Sequence, residues 1–355
     1  MTTSKPQFAG EKVKLSDLCS KGKSSLRQKD LLNDGPYLVY GASGVIGTMS
    51  CYQNEEPYVA VVKDGAGVGR VMACKGKSSV LGTMQALLPS KNVDLNYLLH
   101  LVRSLKLGDD FSGSTIPHIY FRDYGEREVP AIAIKQQIMI AGVLDKIEMM
   151  LARLDMTLKK QDQLVKSRFV EMFGDPTKNQ KSWEFGTVES LSINLDSRRV
   201  PITQADRVPG PYPYYGASGI VDYVADFIFE EPLLLISEDG ANLLARTLPI
   251  AFSICGKTWV NNHAHILKCH NEAGRIYLET LINMLDISSY VTGSAQPKLN
   301  QKQLNSIPIM LPPLELQQEF ADFVAQVDKS GFAVRQQIEK LQLLYDSLAQ
   351  EYFGD

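Results

Sequence analysis

The amino-acid sequence repeats itself, and this constrains the fold more than any other feature, because a duplicated chain folds as two copies of one unit. Tyr40-Gly41-Ala42-Ser43-Gly44 returns as Tyr215-Gly216-Ala217-Ser218-Gly219, and Asp64-Gly65-Ala66 returns at the same spacing as Asp239-Gly240-Ala241. Gly113-Ser114-x-x-Pro117 then returns, five residues later in register, as Gly293-Ser294-x-x-Pro297. Phe173-Gly174-Asp175 matches Phe353-Gly354-Asp355. Four matched motifs in one order exclude coincidence, and the small drift in register is what a duplication with short loop insertions leaves.

Each copy has two parts. The first part, residues 1–130 in one copy and 178–311 in the other, is rich in Gly, Pro, Tyr and short apolar runs. Tyr58–Val62, Leu233–Ile236 and Ile307–Leu311 are such runs, bounded by Gly and Pro, and read as strands. Asn96–Leu105 and Arg275–Leu285 have helical character. The second part, residues 131–177 and 312–355, reads as a long helix.

The first long helix opens near Pro130 and runs to about Phe173. Leu144, Leu151, Leu158, Val165 and Met172 recur every seven residues, with Ile140, Ile147 and Leu154 interleaved. Gln161 and Arg168 interrupt the interleaved row. The second follows Pro312-Pro313, a good helix start, and carries Phe320, Val324, Val327, Gly331, Val334, Ile338, Leu341, Tyr345, Leu348 and Tyr352 at alternating four-and-three spacing. That spacing is the coiled-coil signature. Two separate core helices would satisfy it too. An intramolecular antiparallel pair is preferred, because the chain crosses a whole globular domain between the helices. The fold class is therefore α+β: internally duplicated, with two mixed α/β domains separated by a pair of long antiparallel helices.

Composition enters mainly through what it excludes. Cys19, Cys51, Cys74, Cys255 and Cys269 form no CxxC pair, which argues against a zinc site or disulfide scaffold and fits a reducing cytoplasm. No apolar run reaches the length of a membrane span, and the first residues are too polar for a signal peptide. The formal net charge of −3 means that a nucleic-acid surface would have to be a local concentration of Lys and Arg.

Several stretches resemble the specificity subunits of type I restriction–modification systems. Tyr40–Gly44 and Tyr214–Gly219 resemble their YGASG block, and so do Lys63-Asp64-Gly65 and Glu238-Asp239-Gly240, followed by Trp259–Ala264. Gly293–Asn300, then Ile307-Pro308-Ile309 and Leu311-Pro312-Pro313-Leu314-x-x-Gln317, resembles the stretch that closes a target-recognition domain and leads into the long helix. The resemblance covers nearly the whole chain. The first copy departs from it where Gly113–Pro117 lacks the glutamine, and where Gly82-Thr83-Met84-Gln85 stands in place of Asn261–Ala264. The resemblance implies two target-recognition domains, each reading half of a split double-stranded DNA site through the major groove. The paired helices would act as a ruler and as a platform for DNA adenine methyltransferase subunits, joined in the full enzyme by translocase–nuclease subunits. S-adenosylmethionine would be bound by the methyltransferase, with no cofactor, metal or catalytic residue in this chain. The specificity subunit of a related two-component methyltransferase–nuclease would differ in partners. A stand-alone regulator reading a pseudo-palindrome is disfavoured by the different loops of the two halves, and a purely structural coiled coil leaves the globular domains unexplained.

The residues themselves give little sign of catalysis. Asp64–Gly69 places glycines as G-x-G-x-G, which departs from the dinucleotide pattern and reads as a tight turn. No Walker A or Asn-Pro-Pro-Tyr motif occurs. His263 and His265 alternate on an expected strand and so would share a face, without a third metal ligand nearby in sequence. Candidate DNA contacts come from charge: Lys21, Lys23, Arg27, Lys75 and Lys77 in the first copy, and Arg198, Arg199, Lys257 and Lys298 in the second. Cations beside Gly and Ser suit phosphates. Ser43, Gln85, Ser218, Asn242 and Gln296 are candidates for base edges, with Ser114, Ser294 and Tyr215 as further contacts.

Overall fold

The computed structural model describes residues 11–32, 35–113, 116–293 and 295–354. The chain divides into two compact units, one comprising Met1–Asp155 with Arg335–Asp355 and the other Met156–Val334. Among the described residues no helix is long and apolar enough to cross a membrane.

The strands of the first unit are β1 (Glu11–Lys14), β2 (Cys19–Lys21), β3 (Tyr37–Gly41), β4 (Gly44–Met49), β5 (Tyr58–Val62), β6 (Val71–Cys74), β7 (Ser79–Val80), β8 (Met84–Pro89) and β9 (Glu128–Ala131). They form sheets ordered β2-β8-β5-β6 and β4-β3-β7, with β1 paired to β9. The second unit has β10 (Glu184–Thr187), β11 (Ser192–Asn194), β12 (Pro209–Gly216), β13 (Gly219–Val224), β14 (Leu233–Ser237), β15 (Ala251–Ile254), β16 (Trp259–Val260), β17 (Ala264–Cys269) and β18 (Pro308–Leu311). Its sheets are ordered β11-β17-β14-β15 and β13-β12-β16, with β10 paired to β18. The topology is therefore the same in both copies, down to the parallel pairings of β3 with β7 and β12 with β16.

The all-apolar run of β5 is a central strand with both faces covered, so neither face needs polar residues. Val59 and Val61 face one core while Tyr58, Ala60 and Val62 face another. Leu234 and Ile236 are divided from Leu233 and Leu235 in the same way on β14. A helix covers one face in each unit: α1 (Leu95–Ser104), whose N-cap Asp94 accepts from the Tyr97 amide, and α3 (Glu272–Met284), whose N-cap Asn271 accepts from the Gly274 amide. Such caps satisfy amides that the helix leaves unpaired. The buried Tyr97 hydroxyl donates to the Pro130 carbonyl, and Tyr277 donates to the Met310 carbonyl at the matching place. The drift in register also has a location: between the matched glycines Gly65 and Gly240 and the matched strands β6 and β15, the second copy carries an added helical turn, Asn242–Ala245.

Two 40-residue helices complete the chain, α2 (Ile134–Phe173) and α4 (Leu314–Phe353). The first opens after Pro130 because that proline still belongs to β9, opposite Lys12. In the second unit the two helices run antiparallel: Arg168 meets Glu319 at 2.7 Å, Phe169 packs on Phe320, and Gln161 donates to Ser330 at 3.0 Å. The two polar interruptions of the apolar row thus find partners on the facing helix. In the first unit Ile140, Ala141 and Leu144 of α2 join one core with Tyr345, Leu348, Tyr352 and Phe353 of α4. A polar knot crosses the same contact: His100 of α1, fully buried, bonds Asp145 of α2 at 2.8 Å and the Tyr345 hydroxyl at 2.9 Å.

Candidate nucleic-acid interface

Motifs far apart in sequence meet in each unit, and equivalent backbone hydrogen bonds join them. In the first, the Lys63 amide donates to Thr83, the Gly65 amide to Pro117, and the Ile119 amide to Lys63. In the second, Glu238 donates to His263, Gly240 to Pro297, and Leu299 to Glu238. The tips of the β3–β4 and β12–β13 hairpins join these sites, since the Ala42 carbonyl accepts from Arg70 and the Ala217 carbonyl from the Ser237 hydroxyl. Gly44 and Gly219 close those hairpins with φ of +112° and +127°, a conformation that disfavours a side chain. The Asp64–Gly69 segment is a tight turn. A Cβ on Gly69 would lie 2.1 Å from the Gly108 amide nitrogen, so that glycine serves close backbone approach.

Ser43 and Ser218 stand exposed at the two hairpin tips. Gln296 is exposed, and Lys298 is half exposed with its ammonium 3.1 Å from Glu238. Ser114 and Ser294 lie outside the described residues. The basic runs of the first copy come together at a second place. The Lys23 amide donates to the Asn54 side chain, Asn54 pairs with Ser78, and the Lys77 amide donates to Glu55. Lys21, Lys23, Arg27, Lys75 and Lys77 are all exposed, with Arg27 paired to Asp30 and Lys77 3.8 Å from Glu55. In the second copy Arg198 lies over the Phe229 ring and pairs with Glu231, while Lys257 lies over Phe227.

Other candidates are held by the fold. Gln85 donates to the Ala86 carbonyl at 2.9 Å. Tyr215 leans on the second core beside Phe252. The Asn242 amide group donates to the Leu248 carbonyl and accepts from Thr247 and Leu248, so it closes its own loop. Arg199 is turned inward, bonding Glu238 at 2.5 Å and the Ala264 carbonyl at 2.9 Å.

The two histidines do not share a strand face as their spacing suggests. The strand begins at Ala264, so His263 falls in the preceding turn and bonds exposed to Asp239, while His265 is fully buried against Asp196. Asp196 and Glu238 bring two carboxylates to His265, the donor types a metal would need. The arrangement instead fits an ion-pair network, because Arg199 and Lys298 supply its positive charge and Leu299 occupies the second ring nitrogen. Burial works to raise the Asp196 carboxyl, but His265, the Ile266 amide and Arg199 outweigh it and hold the group below its ordinary value. Burial also opposes ionisation of Glu238, and Arg199, His265 and Lys298 together again hold it low. This network was invisible to sequence reasoning, since Asp196 and His265 lie 69 residues apart.

Two domains on one scaffold, with different side chains on the same loops, have the build of a two-part recognition module. The family model described as "Type I restriction modification DNA specificity domain" matches residues 10–161 and again residues 180–342. The chain belongs to that family. A Haemophilus influenzae protein named for a type I restriction enzyme specificity subunit is 32% identical over 136 residues, covering 38% of this chain and 35% of that protein. The match thus spans about a third of that relative's length. The crystal structure of a type I restriction-modification S subunit from M. genitalium aligns over 99% of this chain and 98% of its own, with a TM-score of 0.63 and 17% identity. A chain from a structure of complex assembly and conformational transition in a type I system covers 97% and 98%, with a TM-score of 0.50 and 13% identity. At these identities the likeness is one of fold.

Proposed function

We propose that this chain is the DNA-reading subunit of a type I restriction–modification complex, with each globular domain, residues 1–130 and 178–311, reading one half of a split target. The observation that carries this is the duplication itself: one backbone scaffold, joined by the same hydrogen bonds, presents different side chains in each copy. Gln85 stands on β8 opposite Val61 where His265, one residue beyond the Ala264 that sequence spacing sets against Gln85, stands on β17 opposite Ile236. Identical scaffolds with different surfaces suit an asymmetric bipartite sequence rather than a palindrome. The candidate contacts sort as in other DNA readers, with exposed cations for phosphates and polar tips for base edges. Lys21, Lys23, Lys75 and Lys77 fit the first role, and Ser43, Ser218 and Gln296 fit the second. Chemistry is left to partners: adenine methyltransferase subunits carrying S-adenosylmethionine, and translocase–nuclease subunits.

Methylome sequencing of cells with and without the gene tests this reading. A bipartite motif should lose its adenine methylation when the gene is deleted. Exchanging residues 12–130 for the corresponding domain of a relative should change one half of that motif and leave the other. Methyl transfer by the isolated chain, or an exchange that alters both halves, would overturn it.

A further inference from the structure

The loops of the second domain rest on a buried charged network, which has no counterpart among the described residues of the first domain. His265 presents Nδ1 to Asp196 Oδ2 at 2.5 Å and Nε2 to the Leu299 carbonyl at 2.7 Å. A carbonyl oxygen only accepts, so Nε2 donates to Leu299 while Nδ1 meets the Asp196 carboxyl. The ring thereby joins the segment after β11 to the loop that closes the domain. The charged groups facing it are Asp196 and Arg199 from that segment, Glu238 after β14 at 3.8 Å, and Lys298 from the closing loop. Leu299 in turn donates its amide to Glu238, whose own amide reaches His263. The histidine therefore braces the Glu238–Gly240 turn and the end of the closing loop together. In the first domain Lys63 takes the place of Glu238, His118 that of Lys298, and Gln85 that of His265. The Gln85 amide reaches the Ala86 and Gly22 carbonyls, and the Ser24 hydroxyl accepts from the Ala86 amide where Asp196 accepts from Ile266, so among the described residues no charged side chain links the segment after β2 to the closing loop.

We infer that His265 is a positioning residue for the second recognition surface: its ring, held between Asp196 and the Leu299 carbonyl, sets the loops that carry Gln296 and Asp239, so recognition by the second domain depends on a buried brace that the described residues of the first domain do not supply. This rests on the reading of each domain as a half-site reader. The probe is a duplex selected from a random-sequence pool by the full-length wild-type chain with its methyltransferase, together with versions in which one half or the other is scrambled. His265→Gln, the residue of the first domain, should lower discrimination at one half by about tenfold and leave the other half unchanged. Asp196→Asn, which keeps a hydrogen-bonding group beside Nδ1 but loosens the brace, should lower discrimination at that same half by less and leave the other half unchanged. Both tryptophans of the chain, Trp183 and Trp259, lie in the second unit, and Trp259 donates to Val200 beside Arg199, so fluorescence reports whether that unit is folded. Unchanged discrimination in a folded His265→Gln protein overturns the inference, as does equal loss at both halves. If His265→Gln unfolds the unit, Asp196→Asn alone decides: a loss confined to that half supports the inference, and no loss or equal loss overturns it. If the wild type selects no sequence at all, the half-site reading falls, and the inference with it.

Discussion

At the residue scale, the structure separates cations that face solvent from cations that hold the fold, and the two kinds fail differently. Lys75 is exposed, with its backbone amide on the Tyr40 hydroxyl. Lys75→Ala should weaken binding to all sequences alike and reduce the slope of log affinity against log salt by about one. Titrating binding to target and unrelated DNA at several salt concentrations checks this, and a loss confined to the target would contradict it. Arg199→Ala should act through stability instead, because Arg199 is only 15% exposed and leaves Glu238 without its closest partner. Losing one member of a buried charged pair costs about 3–5 kcal/mol, and urea unfolding followed by tryptophan fluorescence would register it. Charge runs made both cations visible in the sequence but could not tell them apart. Asn242 was misleading for a related reason. A polar residue beside a glycine turn looks available for a base edge, whereas here it closes the inserted helical turn that only the second copy has.

At the element scale the sequence was far more legible, because helix and strand periods are local. The seam positions of α2 and α4 are withdrawn from solvent, from Ile140 to Met172 and from Phe320 to Tyr352. The heptad pattern did not reveal the aromatic cluster where helix meets domain. Phe169 and Phe173 pack with Tyr277 and Phe320, with ring centroids between 4.9 and 5.5 Å, joining two long helices to α3. Phe173 is fully buried, and its carbonyl accepts from the Trp183 indole. Phe173→Ala should therefore destabilise the second unit by about 3–5 kcal/mol, seen as an earlier fluorescence transition in urea. A change below about 1 kcal/mol would mean that the site collapses around the gap. The helices also bear on function, since each continues unbroken from one unit into the other. One heptad added to each, near Gln161 and near Gly331, keeps the seam in register and lengthens each helix by about 10 Å. On the proposed reading the preferred spacer between half-sites grows by about three base pairs while the half-sites stay the same. A folded, DNA-binding variant that keeps the original spacer would refute the ruler.

At the scale of the whole molecule, duplication makes two units of equal topology that are held together by different chemistry, and acid should distinguish them. Asp196 and Glu238 in the second unit are buried and held below their ordinary values by His265, Arg199 and Lys298. A carboxyl whose folded value is depressed binds its proton more weakly when folded than when unfolded. Its contribution is present above the unfolded value of about 4 and disappears as pH falls through the lower folded value. Glu279 acts in the opposite sense: burial raises it, so folding favours its protonated form and partly offsets the loss as pH falls. The first unit has His100, Asp145 and Tyr345 at its helix contact, but among its described residues no matching charged network lies beneath its loops, where Gln85 replaces His265. Stability of the second unit, followed by fluorescence of Trp183 and Trp259 in urea, should therefore fall as pH is lowered below about 4. Asp196→Asn should flatten that fall, because an amide does not titrate. The same variant separates local from general acid sensitivity, since net positive charge at low pH strains both units alike. If Asp196→Asn leaves the pH dependence of the fluorescence transition unchanged, the network contributes nothing to acid stability and the loss comes from charge spread over the surface.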